Sequence, residues 1–131
     1  MNIKQRHALE LRETDIEGAI RRFNDDEQLY ISCLLMFLED PTVTQLNKAI
    51  EERAWDDAFT AAHAMKGLAG NMGFVPLMHT ISRLVVMIRG GRTNELAECM
   101  ATVNSNYRDI TDAIRDNFTQ QYTGGKENEN G

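Results

Sequence analysis

His63 is the residue whose neighbours best equip it for chemistry. It stands in the run WDDAFTAAHAMKGLAGNMGF, with Lys66 three residues on and Gly67 at four. A free imidazole titrates at about 6.5, so its unprotonated nitrogen is available as a nucleophile near neutral pH. Attack on an acyl phosphate would leave the phosphoryl group on a ring nitrogen. On a helix, a lysine at i+3 lies one turn away, where its ammonium offsets charge on a transferred group. The sequence has no GxxxxGK[ST] loop and no GxGxxG run. The chemistry expected is therefore that of a carrier receiving an activated phosphate, without a nucleotide site of its own. His7 and His79 lack the Lys-Gly context and read as surface histidines. Cys33 and Cys99 form no CxxC pair and read as reduced residues in or near a core. Nothing in the spacing of cysteines and histidines suggests a metal site.

A helical wheel shows what must carry these groups. With Met65 at zero, Ala58, Ala61, Ala62, Leu68, Ala69 and Met72 fall within roughly 60°, a complete core stripe. His63 falls at roughly 160°, with Thr60, Gly67, Gly70 and Asp56 on the same far face and Lys66 on its flank. Each glycine inside a helix costs about 1 kcal/mol relative to alanine. Room for a phosphoryl group or a partner surface is the reason to tolerate them here. Phe59 and Val86 are apolar positions left out of the core stripes. Together with Thr60, Gly70 and Asn71 they form the expected docking surface for a partner.

The remaining elements follow from periodicity and punctuation. The first dozen residues show no clear pattern, so 1–14 reads as a mobile or packed arm. DIEGAIRRF from Asp15 predicts a short helix, and Asn24-Asp25-Asp26 a turn and N-cap. EQLYISCLLMFLED predicts a helix ending before Pro41, and Thr42–Arg53 another. The His63 helix spans Trp55–Gly73, and Pro76 suits the first turn of the next, with Leu77, Ile81, Leu84 and Ile88 apolar. Gly90-Gly91 stops it, and a last helix runs from about Asn94 to Phe118. The polar, Gly-rich residues 119–131 read as a disordered tail. The fold expected is all-α: an antiparallel up-down four-helix bundle over 15–118, with an additional short N-terminal helix.

Composition narrows the partners. Hydrophobic residues make up 42% of the 131-residue chain, enough for one packed core. With 14 basic and 20 acidic residues the formal charge is −6, which argues against nucleic acid. No apolar run is long enough to span a bilayer, and the first residues are too polar for a secretory signal. A monomer in the cytoplasm, with a protein partner and no membrane, is the expectation.

The run His63-Ala-Met-Lys66-Gly67-Leu-Ala69-Gly70-Asn71-Met-Gly73 resembles the signature of histidine-containing phosphotransfer (HPt) domains. That pattern is a histidine, an apolar residue two on, Lys-Gly at three and four, a small residue at six and glycine at ten. Tyr30, Leu34 and Phe37 resemble the family's preceding helix, and Leu84 with Arg89-Gly90 its following one. The likeness extends over about 15–118. It implies a four-helix bundle with His63 midway along an exposed helix, and reversible transfer between His63 and an aspartate of a response-regulator receiver domain. It implies that Lys66 contacts the phosphate and that Gly67 leaves room beside the histidine. Partners would be receivers and a hybrid sensor histidine kinase, with Mg²⁺ held by the receiver and no cofactor or metal ligand in this chain. The protein would be a phosphorelay carrier, not an enzyme. Two positions depart from the pattern. Leu68 replaces a small or polar residue, and Val85 replaces a Glu or Gln on the next helix, so a hydrogen bond from that position is lost. The rival expectation is a helical scaffold that binds a receiver or kinase without carrying phosphate.

Overall fold

Polar caps and prolines cut the chain into short helices first and long ones after. The computed structural model describes residues 1–119. Asn2 opens α1 (Ile3–Glu10) with a capping box: its side chain accepts from the Gln5 amide at 2.7 Å, and the Gln5 side chain accepts from the Asn2 amide at 2.9 Å. Asp15 caps α2 (Ile16–Arg22) through the Gly18 amide, and Asp26 caps α3 (Glu27–Phe37) through the Leu29 amide. Pro41 precedes α4 (Thr42–Glu51). Asp56 and Asp57 occupy the first turn of α5 (Trp55–Met72), where carboxylates favour the positive end of the helix dipole. Pro76 sits in the first turn of α6 (Val75–Arg89). A 3₁₀ turn, Thr93–Glu95, leads into α7 (Leu96–Ile114), which runs on into a π turn, Arg115–Thr119. Among the described residues there is no strand, only an isolated backbone bridge between Thr14 and Phe74.

The fold is an all-helical bundle. α5 is its central member and packs chiefly against α6 and α4, while α6 packs in turn on α7 and α4 closes on α7. Small residues make this possible. Ala58, Ala62 and Ala69 on α5 are wholly buried beside Met65, and let the neighbouring helices come close. Leu46, Leu77, Ile81, Leu84, Val103 and Ile114 fill the space around them. A polar pair also stitches α4 to α7, with the Asn47 and Asn104 amides exchanging hydrogen bonds at 2.9 and 3.0 Å.

The N-terminal residues differ from expectation. They form α1, so the arm is a packed helix beyond those that periodicity marks. α1 lies on α7 and the π turn. Leu9 is fully buried in the common core, and the buried Gln5 donates to the Asn117 carbonyl at 3.2 Å. The wheel stripe on α5 is also narrower than expected, because Ala61 and Leu68 are half-buried. Cys33 is half-buried and Cys99 buried, both free, and burial pushes the Cys99 thiol up. Among the described residues no helix is long and apolar enough to cross a membrane. Residues 120–131 of the expected tail lie outside the described residues.

Candidate functional site

The helix that carries His63 is anchored at its C-terminal end from three sides. Gly73 ends it in the left-handed region, φ 81°, and its amide bonds back to the Gly70 carbonyl. The Arg22 guanidinium donates to the carbonyls of Gly70 and Asn71, at 2.9 and 3.1 Å, and so adds side-chain donors at the carbonyl end of the helix. The buried Tyr30 hydroxyl donates to the Met72 carbonyl at 2.9 Å. Burial raises the Tyr30 pKa, so this donor keeps its proton. These clamps come from α2 and α3, which gives the two short helices a role in fixing α5.

His63, Lys66 and Gly67 lie together on the outer face of α5, and all three are exposed. Among the described residues the side chains of neither His63 nor Lys66 make a hydrogen bond or ion pair. A Cβ built on Gly67 meets nothing within 4 Å. Packing therefore gives no reason for glycine at 67. Gly67→Ala is expected to stabilise the fold by up to about 1 kcal/mol, read in a urea titration, since alanine is the better helix former and meets no obstacle. A loss of stability would show that Gly67 is needed by the fold itself.

Gly70 differs from the sequence expectation. It is half-buried, and a Cβ there would come within 3.2 Å of Met78 Sδ on α6. Gly70 lets α5 and α6 approach, and its carbonyl is taken by Arg22. It is a packing position more than an open docking one. The other expected docking residues separate by exposure. Thr60 and Asn71 are exposed, and the Thr60 hydroxyl donates to the Asp56 carbonyl at 3.0 Å. Val86 on α6 is 63% exposed, whereas Phe59 is half-buried. His7 and His79 are exposed and stand on α1 and α6.

Around His63 the structure adds what the wheel did not contain. The Phe59 and His63 rings stack one turn apart, nearly parallel at 9°, with centroids 5.9 Å apart. The Arg89 guanidinium, from the end of α6, lies over the Phe59 ring at 5.0 Å. The pairs Phe59–Arg89 and Gly70–Met78 set an antiparallel register that brings Val85 level with His63. Val85 is 7% exposed, an apolar side chain turned into the core. The signals for Arg89 were present in the text, an aromatic at i−4 from His63 and an arginine ending the next helix. Only the register connects them. A groove of about 450 Å³ between α4 and α5, lined by residues including Lys48, Glu52, Asp57 and Thr60, runs beside this face. No cluster of three or more His, Cys, Asp or Glu side chains fit to hold a metal occurs among the described residues.

A scan against protein-family models matches the Hpt domain over residues 34–120. The chain belongs to the Hpt domain family. The match takes in α4 to α7 whole and the end of α3, so the bundle and the His63 helix are both inside it. Comparison with curated proteins and with solved structures gave no match. An Hpt domain has a phosphotransfer role in two-component signalling, and acts there as a phosphocarrier rather than a catalytic enzyme. Members of the family work with receiver domains and kinases.

Proposed function

We propose that His63 is the phosphorylated residue of this Hpt domain, taking a phosphoryl group from an aspartyl phosphate of one response-regulator receiver and passing it reversibly to another. The observation that carries the reading is the exposure of His63 on a clamped helix, with a free ammonium at i+3 and open space over Gly67. The unprotonated ring nitrogen attacks phosphorus, the N–P bond forms, and the acyl P–O bond breaks to release the receiver's carboxylate. The ring's other nitrogen keeps its hydrogen. Return of the group to an aspartate reverses each bond change. The Lys66 ammonium reaches across one turn to the equatorial oxygens, where charge gathers as the group moves. In this reading the Mg²⁺ belongs to the receiver, a hybrid sensor kinase lies upstream, and Thr60, Asn71 and Val86 meet the receiver's surface.

Incubation with a phosphorylated receiver tests this directly. The chain is expected to take up acid-labile phosphate, and fragment mapping to place it on His63. Binding of the receiver with no phosphate appearing on the chain would leave only a scaffold role. Lys66→Ala should slow uptake by about tenfold, less than loss of a buried oxyanion donor costs because water screens the site, while the melting curve stays put. An unchanged rate would remove Lys66 from the mechanism. Gly67→Gln should leave the helix intact and slow transfer by about tenfold or more, because a long side chain occupies the space beside His63 and spoils its approach to the acyl phosphate.

A further inference from the structure

An exposed histidine whose ring makes no hydrogen bond has two soft torsions and nothing polar to hold one orientation. In-line attack on phosphorus needs the ring nitrogen aimed within a narrow cone. Val85, level with His63 on the neighbouring helix, is apolar and turned into the core, so it supplies no aiming hydrogen bond. What does touch the imidazole is Phe59. Its ring packs partly against the core, which holds it in place, and presents a face to His63 at 9°. Its π system also attracts the Arg89 guanidinium, 5.0 Å from the centroid. Arg89 makes no ion pair among the described residues, so nothing competes for it there. The arrangement joins α5 to the end of α6 across the level of the histidine.

We infer that Phe59 is a positioning residue for His63, and that Arg89, held on Phe59, steadies it. The stacked ring fixes the imidazole plane in place of the polar group that Val85 cannot be. This rests on His63 as the phosphorylated residue. Phe59 acts on the ring and not on the partner, so its loss should lower the maximal transfer rate without changing how much receiver half-saturates it. Arg89 acts through Phe59, so the two should not add.

The test measures transfer from a phosphorylated receiver over a range of receiver concentrations, together with the proton spectrum of the His63 ring in the unphosphorylated full chain. Phe59→Leu should lower the maximal rate by about tenfold, the scale of a lost ring orientation. It should also move the His63 ring protons, as the ring current beside them is removed. Phe59→Tyr, which keeps the face, should restore both. Arg89→Gln should slow transfer about threefold, the scale of an exposed cation–π contact, Arg89→Lys should recover most of that, and Phe59→Leu with Arg89→Gln should be no slower than Phe59→Leu alone. A rise in the half-saturating receiver concentration at unchanged maximal rate would overturn the inference and make Phe59 a docking residue. A lower melting temperature with both kinetic parameters and the ring protons unchanged would overturn it in favour of plain packing. Failure of the underlying reading looks different: His63→Gln would still take up phosphate. Failure of this inference alone leaves His63→Gln unlabelled and the Phe59 and Arg89 variants at the wild-type rate.

Discussion

A His63→Gln protein is expected to fold as the wild type does and to take up no phosphate from a receiver. The fold has little to lose. His63 is exposed, and among the described residues its side chain makes no hydrogen bond and has the Phe59 stack as its one ring contact. An aromatic pair contributes about 0.5–1.5 kcal/mol. Glutamine is a better helix former than histidine and offsets part of that. The melting temperature should therefore move by no more than a few degrees. The chemistry loses everything, because an amide nitrogen gives its lone pair to the carbonyl and is no nucleophile. His7 and His79 serve as internal controls, being exposed histidines on α1 and α6 that the substitution leaves untouched. If an accessible imidazole were enough, they would still accept phosphate. Label that persists at the wild-type level in His63→Gln would end the assignment of His63, and label moved to either control would show that the Lys66-Gly67 setting adds nothing.

Gly73→Ala is expected to be the most damaging glycine substitution in the signature, and through the fold rather than the chemistry. Two costs coincide there. The backbone is at φ 81°, a conformation that costs a residue with a Cβ about 1–2 kcal/mol. The added Cβ would stand 2.5 Å from the Asp15 carbonyl oxygen and 3.3 Å from Ala19 Cβ. The first of these contacts is with backbone, which cannot swing aside. Asp15 also donates its amide to the Gly73 carbonyl at 2.8 Å, so moving α2 away breaks that bond as well. The combined loss should reach about 3 kcal/mol or more, among the largest effects a single methyl group produces. A urea titration of the purified chain reads it, with Gly67→Ala as the contrasting case. A Gly73→Ala protein within about 0.5 kcal/mol of wild type would show that α2 gives way freely at this joint. The result bears on the motif: a glycine ten residues after the histidine serves the meeting of α2, α5 and α6.

The long helices were legible because their apolar spacing is strong and their ends are marked. Trp55–Gly73 was expected and Trp55–Met72 is found, with Gly73 as the cap. Asn94–Phe118 was expected for the last helix, and Leu96–Ile114 is found between a 3₁₀ turn and a π turn. α1 was not legible. IKQRHALE has almost no apolar face, and its helix is made by the Asn2 capping box and by docking of Ala8 and Leu9 into a core supplied by other helices. Gly70 was misread for a related reason. A wheel built on one helix takes a single stripe as buried, but α5 is covered from several sides, and Met78 closes over a position the stripe leaves open.

The order of residues along one strongly patterned helix determined that His63, Lys66 and Gly67 share an exposed face, because a regular helix converts spacing into direction without help from elsewhere. It determined the all-helical class in the same way. What touches that face was decided only by tertiary structure. Arg22 on the α5 carbonyls, Tyr30 on Met72, and Arg89 on the ring that stacks with His63 depend on how helices distant in sequence are set against one another. That register arises from packing the side chains of the whole core at once, a many-body fit that no local period contains.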